Sequence, residues 1–393
     1  MASSRKTVLV TDGEERAALA VVRSLGRAGY QCVVASRQGR SISGASRFTT
    51  CEFVAPPPDT APDQFADAVM AIAESRAVDL VIPISEASLL AILQVRDQLC
   101  APVPFPSADI VRAICDKKRV LEVASKLGIR VPQQQVLYCR NELHQLLLQP
   151  PVVLKPTRSV YTAPDGTRGK VGVTWVHDIN ELEERVLKYP AEAFPLLVQE
   201  AICGPGIGVF VLRDQGETIA RFAHRRIREM PPSGGVSVLR QSEPMDEALY
   251  ERTINLLDAF GWSGVAMVEY KVDERSGEPV LMEINGRFWG SLQLAVDAGV
   301  DFPRLLAEIN LGGKPPRTRS YRFVRSRWFW GDVDHAIARW RDRGSTWRDR
   351  VNAVAAMVRA CSPAYRSEVL HWNDPMPFVR ESAQWLSHAI RHI

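Results

Sequence analysis

No stretch of the chain approaches the ~18 uninterrupted apolar residues of a membrane-spanning helix. Its opening, MASSRKTVLVTDGEE, loses its apolar run at Asp12, too soon for a secretory signal. The seven cysteines, at 32, 51, 100, 115, 139, 203 and 361, are odd in number and form no CxxC pair. A disulfide framework or a zinc site is therefore not expected, and a reducing cytoplasm is the expected compartment. Glycine is missing where a dinucleotide would need it. The segment Thr11-Asp12-Gly13-Glu14-Glu15-Arg16 lacks the three-glycine fingerprint and puts acids where a pyrophosphate would sit. The phosphate-loop spacing GxxxxGK[ST] is absent as well, and no Ser/His/Asp or Cys/His arrangement suggests nucleophilic catalysis. There is no internal repeat and no long low-complexity stretch.

What is present is a soluble globular mixture, 46% apolar and 24% charged over 393 residues. That length suits two or three domains of roughly 100–200 residues. The net charge of +4 is unevenly spread. Residues 314–393 carry 15 Lys/Arg against 7 Asp/Glu and six of the nine tryptophans, so the rest of the chain is mildly acidic.

The first 110 residues alternate strands and helices. Strands are expected at Lys6–Val10, Gln31–Ala35 and Val78–Pro83, and helices at Glu14–Arg27, Asp63–Ser75 and Glu86–Gln98. Such alternation predicts a parallel sheet covered by helices, Rossmann-like but without a dinucleotide. Cys100–Pro106 reads as a linker. Asp116 caps a helix with Val120, Leu121, Ala124 and Leu127 on one face, closed by Gly128 and Pro132. From Pro151 to Leu311 strands dominate, which predicts an α+β region, and Pro315 and Pro316 open the tail.

The most informative segment runs from Gly264 to Arg287. Two apolar strands flank the polar turn Asp273–Pro279 and form a hairpin. If its centre is Ser276, Glu269 lies opposite Glu283 and Met267 opposite Asn285. Alternation then gives a core face of Ala266, Val268, Tyr270, Val272, Val280, Met282 and Ile284, and a second face with Met267, Glu269, Lys271, Glu283 and Asn285. Facing carboxylates repel, so a bridging cation is expected between them. An all-oxygen donor set suits Mg²⁺, and Arg287 beside it suits a phosphate. The competing reading is a solvated face on which Lys271 neutralises one glutamate.

Glu269 followed by Met282-Glu283-Ile284-Asn285-Gly286-Arg287-Phe288 resembles the metal-binding hairpin of the ATP-grasp superfamily, in particular its carbamoyl-phosphate-synthase-like and D-amino-acid-ligase-like members. Cys115-Asp116-Lys117-Lys118 with Leu127–Pro132 resembles the family's DK helix and LGIPVP turn. Val152-Val153-Leu154-Lys155-Pro156 resembles its second lysine strand, and Gln199-Glu200-Ala201-Ile202-Cys203-Gly204 its adenine-gripping hinge. The resemblance covers about residues 5–312. It implies an N-terminal Rossmann-like domain (1–112) and two ATP-grasp subdomains (113–195 and 196–312); composition sets apart a basic, Trp-rich, mainly helical extension (313–393). It further implies ATP bound between the subdomains, with Lys117 and Lys155 on its phosphates and adenine edge. Gln199, Glu200, Ala201 and Ile202 would hold the base. Glu269, Glu283 and Asn285 would hold one or two Mg²⁺, or Mn²⁺, and Arg287 would stabilise the transferring phosphoryl group. Lys118 competes with Lys117. The family's acidic ribose contact is replaced here by Gly204-Pro-Gly-Ile-Gly208, which leaves that contact open.

Two further segments are basic. Residues 157–172 form a glycine-punctuated loop whose Arg158, Arg168 and Lys170 would either close over phosphates as a lid or stay an exposed hairpin. Ala220–Gly235 is a basic strand leading into a glycine turn. Its alternation puts His224, Arg226 and Arg228 on one face, with Arg226 and Arg228 as candidate contacts for phosphate or substrate carboxylate. The amides of Ser233–Gly235 are a candidate oxyanion cradle. A solvated edge strand is the alternative, and His224 reads as structural or as a phosphate neighbour.

The expected function is ligation. A carboxylate is activated by ATP and Mg²⁺ as an acyl phosphate, and an amine displaces phosphate to leave ADP and an amide. A carboxylase-like enzyme acting on bicarbonate and a non-catalytic nucleotide sensor or scaffold remain as alternatives. Expected partners are a small carboxylate and an amine, not nucleic acid, and a homodimer is left open. For the tail, packing back on the catalytic body, contact with an anionic membrane surface and binding to a partner all stay open. Its interleaved acids weigh against nucleic acid.

Overall fold

The computed structural model describes residues 5–157, 160–162, 168–170, 173–232, 234–318, 320–342 and 344–391; for 160–162, 168–170 and 391 only the backbone is described. Strands β1 (Thr7–Val10), β2 (Gln31–Ser36), β3 (Thr49–Val54) and β4 (Leu80–Ile82) form a parallel sheet in the order β3-β2-β1-β4. Val8, Leu9, Val10 and Leu80, Val81, Ile82 have no exposed surface, as expected where helices cover a parallel sheet. The crossovers carry α1 (Arg16–Arg27), α2 (Pro62–Ser75) and α3 (Glu86–Gln94). Ser85 and Ser88 build a capping box at the start of α3. The turn after β1 is filled by Asp12 at φ +54°, whose carboxylate accepts hydrogen bonds from Ser85 N, Ser85 Oγ and Ser88 Oγ. Its acid therefore secures α3.

Two helices lead out of this layer, α4 (Ala108–Cys115) and α5 (Lys117–Lys126). Asp116 caps α5 through Arg119 N at 3.0 Å, and Gly128 takes φ +71° just past its end. A small antiparallel sheet follows, in the order β5-β10-β6-β9. It comprises β5 (Gln134–Leu137), β6 (Val152–Pro156), β9 (Thr174–Val176) and β10 (Leu196–Glu200), with α6 (Ile179–Lys188) on it. Between β6 and β9 lies the ribbon of β7 (Val160–Thr162) and β8 (Arg168–Lys170).

The large sheet has seven strands in the order β15-β14-β11-β12-β13-β16-β17. They are β11 (Gly206–Asp214), β12 (Glu217–Met230), β13 (Val236–Ser242), β14 (Gly264–Val272), β15 (Pro279–Asn285), β16 (Arg325–Arg327) and β17 (Arg366–Ser367). Helices α7 (Glu247–Ala259), α8 (Leu292–Ala298) and α9 (Phe302–Asn310) are inserted among them, and α10 (Phe329–Arg341), α11 (Trp347–Arg359) and α12 (Met376–Arg391) finish the chain. One continuous apolar core joins the N-terminal sheet to the large sheet, from Val8 through Trp289 to Ala307. The small sheet has a separate core around Leu137, Leu154, Leu182 and Val198. A cleft between two independently packed bodies follows from that division.

The structure departs from the sequence expectations in several places. Strand β3 and helix α4 were not expected, and α4 runs across residue 112. The 100–106 linker buries Ala101, Val103 and Phe105. Leu127 is exposed, lying beyond the buried stripe of α5. Strand β10 sits between β5 and β6, so the small sheet extends past residue 195. Strand β16 pairs with β13, so the large sheet extends past residue 312.

The tail packs back on the body. Arg23 of α1, fully buried, donates to Asp374 Oδ2 at 2.8 Å, to Val369 O at 2.8 Å and to Asp374 O at 3.0 Å. Trp328, Trp330 and Trp385 donate to Glu381, Ser382 and Asp334, and the rings of Trp330 and Trp385 stack at 4.2 Å. The other three tail tryptophans, Trp340, Trp347 and Trp372, are exposed. The buried face of α10 is Gly331, Asp332 and Ala336, although Val333, Ile337 and Trp340 fall at helical spacing in the sequence. No helix among the described residues is long and apolar enough to cross a membrane.

Candidate active site

The β14–β15 hairpin forms one wall of the cleft. Glu269 faces Glu283 and Met267 faces Asn285 in the observed register. Beyond Glu269 a bulge shifts the pairing by one, so Tyr270 faces Leu281. Leu281 is consequently buried, and Met282, expected in the core, is only half-buried.

Each glutamate has its own cation. Lys117, at the start of α5, places Nζ 3.3 Å from Glu283 Oε2. Arg226 of β12 pairs with Glu269 and also with Glu229 Oε1 at 3.2 Å. Asn285 Nδ2 donates to Glu283 Oε1 at 3.0 Å, and Arg287 Nη2 donates to Asn285 Oδ1 at 3.0 Å. Burial, reinforced by the nearby Glu283 charge, raises the Glu269 carboxyl despite Arg226. Burial also acts to raise Glu283, but Lys117, Lys155 and Asn285 outweigh it and hold that carboxyl low. The Glu283 charge in turn holds the Lys117 ammonium up. One acid thus keeps its charge easily while its neighbour resists ionising, as expected for two carboxylates held close together.

The opposite wall is the small sheet. Lys155 of β6, near the strand's end, is 5% exposed and so is not a surface lysine. Burial pushes its ammonium down to about 8, with Lys117 adding to the effect. No hydrogen-bond partner for it lies among the described residues. On β10, Gln199 turns inward to donate to Gln134 Oε1 at 2.8 Å, and Glu200 pairs with Arg275. The Ala201 amide donates to Pro151 O at 3.4 Å, and Ile202 O accepts from Lys271 Nζ at 3.3 Å. Lys271 therefore reaches the hinge and the face of Trp175, 5.3 Å away, and does not neutralise the facing glutamates. The Ile202 N–H has no partner among the described residues.

Other sequence candidates fall elsewhere. Arg228 forks onto Asp332 of α10 at 2.8 and 2.7 Å and is committed to the tail, because bulges on either side of it break the expected alternation with Arg226. His224 is fully buried edge-on against Phe210, and burial drives its pKa well down. Lys118 is turned to Tyr138, 3.2 Å away, which leaves Lys117 in the cleft. In the glycine turn, the Gly234 N–H donates to Pro231 O, and Gly235 O accepts from Arg226. Arg158 and Ser233 lie outside the described residues, as do the side chains of Arg168 and Lys170.

The sequence reading missed the floor of the site. A cavity of about 1080 Å³ opens between the N-terminal layer and the hairpin, lined by Arg16, Arg37, Glu86, Cys115, Arg119, Arg287 and Gly290 among others. Glu86, the first residue of α3, lies near Cys115 and adds to the field at Lys117. The Ser85–Ser88 capping box was the available signal, since it fixes Glu86 at an exposed helix start facing outward from a parallel sheet.

Residues 192–328 match the profile of a family described as ATP-grasp in the biosynthetic pathway with Ter operon. No curated protein matches the sequence. Among solved structures, an L-amino acid ligase from Bacillus licheniformis superposes with a TM-score of 0.61 at 18% identity, covering 78% of this chain and 74% of that one. N5-carboxyaminoimidazole ribonucleotide synthetase, in its ADP complex, gives 0.66 at 16% identity, covering 90% and 96%. The biotin carboxylase domain of 2-oxoglutarate carboxylase from Hydrogenobacter thermophilus, solved as a dimer with MgADP and bicarbonate, gives 0.62 at 18% identity, covering 81% and 72%. At these identities the superpositions establish the fold. Residues 192–328, most of the large sheet, thus match an ATP-grasp family profile, and the chain has the fold of the ATP-grasp structures on which it superposes.

Proposed function

We infer that this chain is an ADP-forming ligase that activates a carboxylate with ATP and joins it to an amine. The observation that carries this reading is the cleft's charge arrangement. Glu269 and Glu283 face each other, and Lys117, Lys155, Arg226 and Arg287 surround them. Lys155 and Arg287 make no ion pair among the described residues, Arg287 being held only by the Asn285 amide and the Phe288 carbonyl, so these two cations are available to a triphosphate. Two carboxylates and an amide also suit a hard divalent ion that takes its remaining ligands from phosphate and water. Glu269, Glu283 and Asn285 would hold Mg²⁺, or Mn²⁺; when bound, the ion supplies charge neutralisation at the phosphates.

The chain's own residues account for the rest. Lys117 and Lys155 hold the phosphates, and the Glu200–Ile202 hinge receives the base. Arg287 draws the γ-phosphoryl group toward the substrate carboxylate. A carboxylate oxygen attacks the γ-phosphorus, the bond to the ADP oxygen breaks, and an acyl phosphate results. The amine nitrogen then attacks the acyl carbon, phosphate departs, and the amine loses a proton to yield the amide. Bicarbonate as the acid is the second reading, favoured by the likeness to carboxylase structures. The N-terminal layer, residues up to about 112, would supply the cavity floor for the acid and amine.

The test is to incubate the protein with ATP, Mg²⁺ and a panel of amino acids, or bicarbonate with an amine. ADP and phosphate are expected in step with product. AMP and pyrophosphate would contradict the reaction. Glu283→Gln should lower turnover by at least about 100-fold, as loss of a charge-positioning group in a phosphoryl-transfer site does. Full turnover in that variant would overturn the metal assignment.

A further inference from the structure

Arg16 is the first residue of α1, where a cation opposes the helix dipole. Its guanidinium is nonetheless held rigidly from behind by the tail. It stacks over Trp328, 3.8 Å from the ring centroid, and Nη1 pairs with Glu368 Oε2 at 2.5 Å. The Glu368 side chain is 1% exposed and also binds the fully buried Arg240. Arg240 faces Arg226 in the strand register, so the two project from the same face of the sheet and Glu368 lies on the side of Arg226. Glu368 therefore has a cation of its own, and Arg16 is not needed to neutralise it. Glu381 accepts from Trp328 on the same side, but burial pushes its carboxyl up to about 7, so it is a weak counter-charge.

The other edge of Arg16 is free. Nη2 has no partner among the described residues, and Arg16 lines the 1080 Å³ cavity together with Arg287 and Gly290. The lack of a side chain at Gly290 opens the space before it; a Cβ there would lie 3.3 Å from Arg16 Nη2. A planar donor clamped on one edge and bare on the other is preorganised for an oxyanion.

We propose that Arg16 is a substrate-binding residue that receives an anionic group of the substrate, a carboxylate or a phosphate, separate from the carboxylate activated beside Arg287, and that Glu368 and Trp328 of the tail position it. This rests on the ligase reading for the identity of the second site, though not for the anion site itself. It narrows the substrates to acids or amines that carry an additional oxyanion. It also gives the tail a role in the active site. Glu368 is a positioning residue, since it touches Arg16 and not the cavity.

The experiment is calorimetric titration of the full chain with two probes, succinate and inorganic phosphate, with Mg·AMP-PNP titrated into the same samples. One probe should bind wild type, and Arg16→Met should weaken it by at least about tenfold, the loss of one charge-assisted pair. Succinate binding would identify a carboxylate, phosphate binding a phosphorylated substrate. Gly290→Val leaves Glu368 untouched and should weaken the same probe by blocking Nη2, which decides the matter if Arg16→Met does not fold. Glu368→Gln should cause a smaller loss of the same kind. Equal affinity in wild type and Gly290→Val, or no binding of either probe to wild type, would overturn the proposal. Loss of Mg·AMP-PNP binding with Arg16-dependent probe binding intact would instead overturn the nucleotide reading alone.

Discussion

A lysine ammonium cut off from water, with no anion in contact, gives up its proton easily, and among the described residues Lys155 is in that position. The free protein should titrate this group near pH 8. The unfolded chain keeps the proton to about pH 10.4, so between about 8 and 10 folding releases it and stability climbs with pH. A bound triphosphate restores the missing anion and pulls the proton back. At about pH 8.5, Mg·nucleotide binding should therefore take up a fraction of a proton, measurable as a buffer-dependent heat. Lys155→Arg, always charged, should show no uptake, and wild type at about pH 6.5 should show little. Equal heats in all buffers at the higher pH would remove Lys155 from the phosphate site. The residue-level legibility of the site follows the same physics. The Glu269–Glu283 pairing was readable because a strand's period of two and a symmetric turn fix the register. Arg16 and Glu86 were not, because they come from strand–helix turns about 200 residues away, and no local pattern announces which turns converge.

At the scale of elements, the tail shows where pattern reading stops. Strand β16 reads Arg-Ser-Arg, a sequence with no strand preference, yet Ser326 and Arg327 are buried because β13 offers a free edge. The tail's alternative readings arose from tryptophans whose partners, Asp334, Glu381 and Ser382, carry no signal until the helices are placed. Docking of α12 should also respond to pH. Burial pushes the Glu381 carboxyl up to about 7, against about 4.3 when unfolded. The folded state therefore holds an additional proton between these values, and this group's contribution to stability falls as pH rises from about 4.5 to 7. Glu381→Gln keeps an acceptor for Trp328 and has no charge to bury. Its stability relative to wild type, followed by thermal unfolding, should improve steadily across that window. A constant offset from about pH 4.5 to 7.5 would show that Glu381 is not the titrating group.

For the whole molecule, the question is what fixes the last fifth of the chain to the first. The joining apolar contact is small, a cluster of Leu19, Ile42 and Val369 with Trp328 and Phe378 beside it. The ionic contact is much larger: Arg23 meets Asp374, and Arg16 and Arg240 meet Glu368, with the carboxylates almost wholly out of water. Such pairs add little over an apolar packing of the same shape, but breaking one strands a charge. Asp374 also accepts from Ser46 Oγ at 2.7 Å and Arg47 N at 2.9 Å, so it ties both α1 and the loop before β3 to the tail. Asp374→Asn keeps the shape and removes the charge. It should cost about 3–5 kcal/mol, because Arg23 stays buried with only neutral acceptors. Glu247→Gln, which breaks the solvent-facing pair with Arg221, should cost less than about 1 kcal/mol. Urea unfolding of both variants against wild type measures the contrast. Equal losses would mean that the tail is held by its apolar contacts, and the buried ion pairs would then be no more than tolerated.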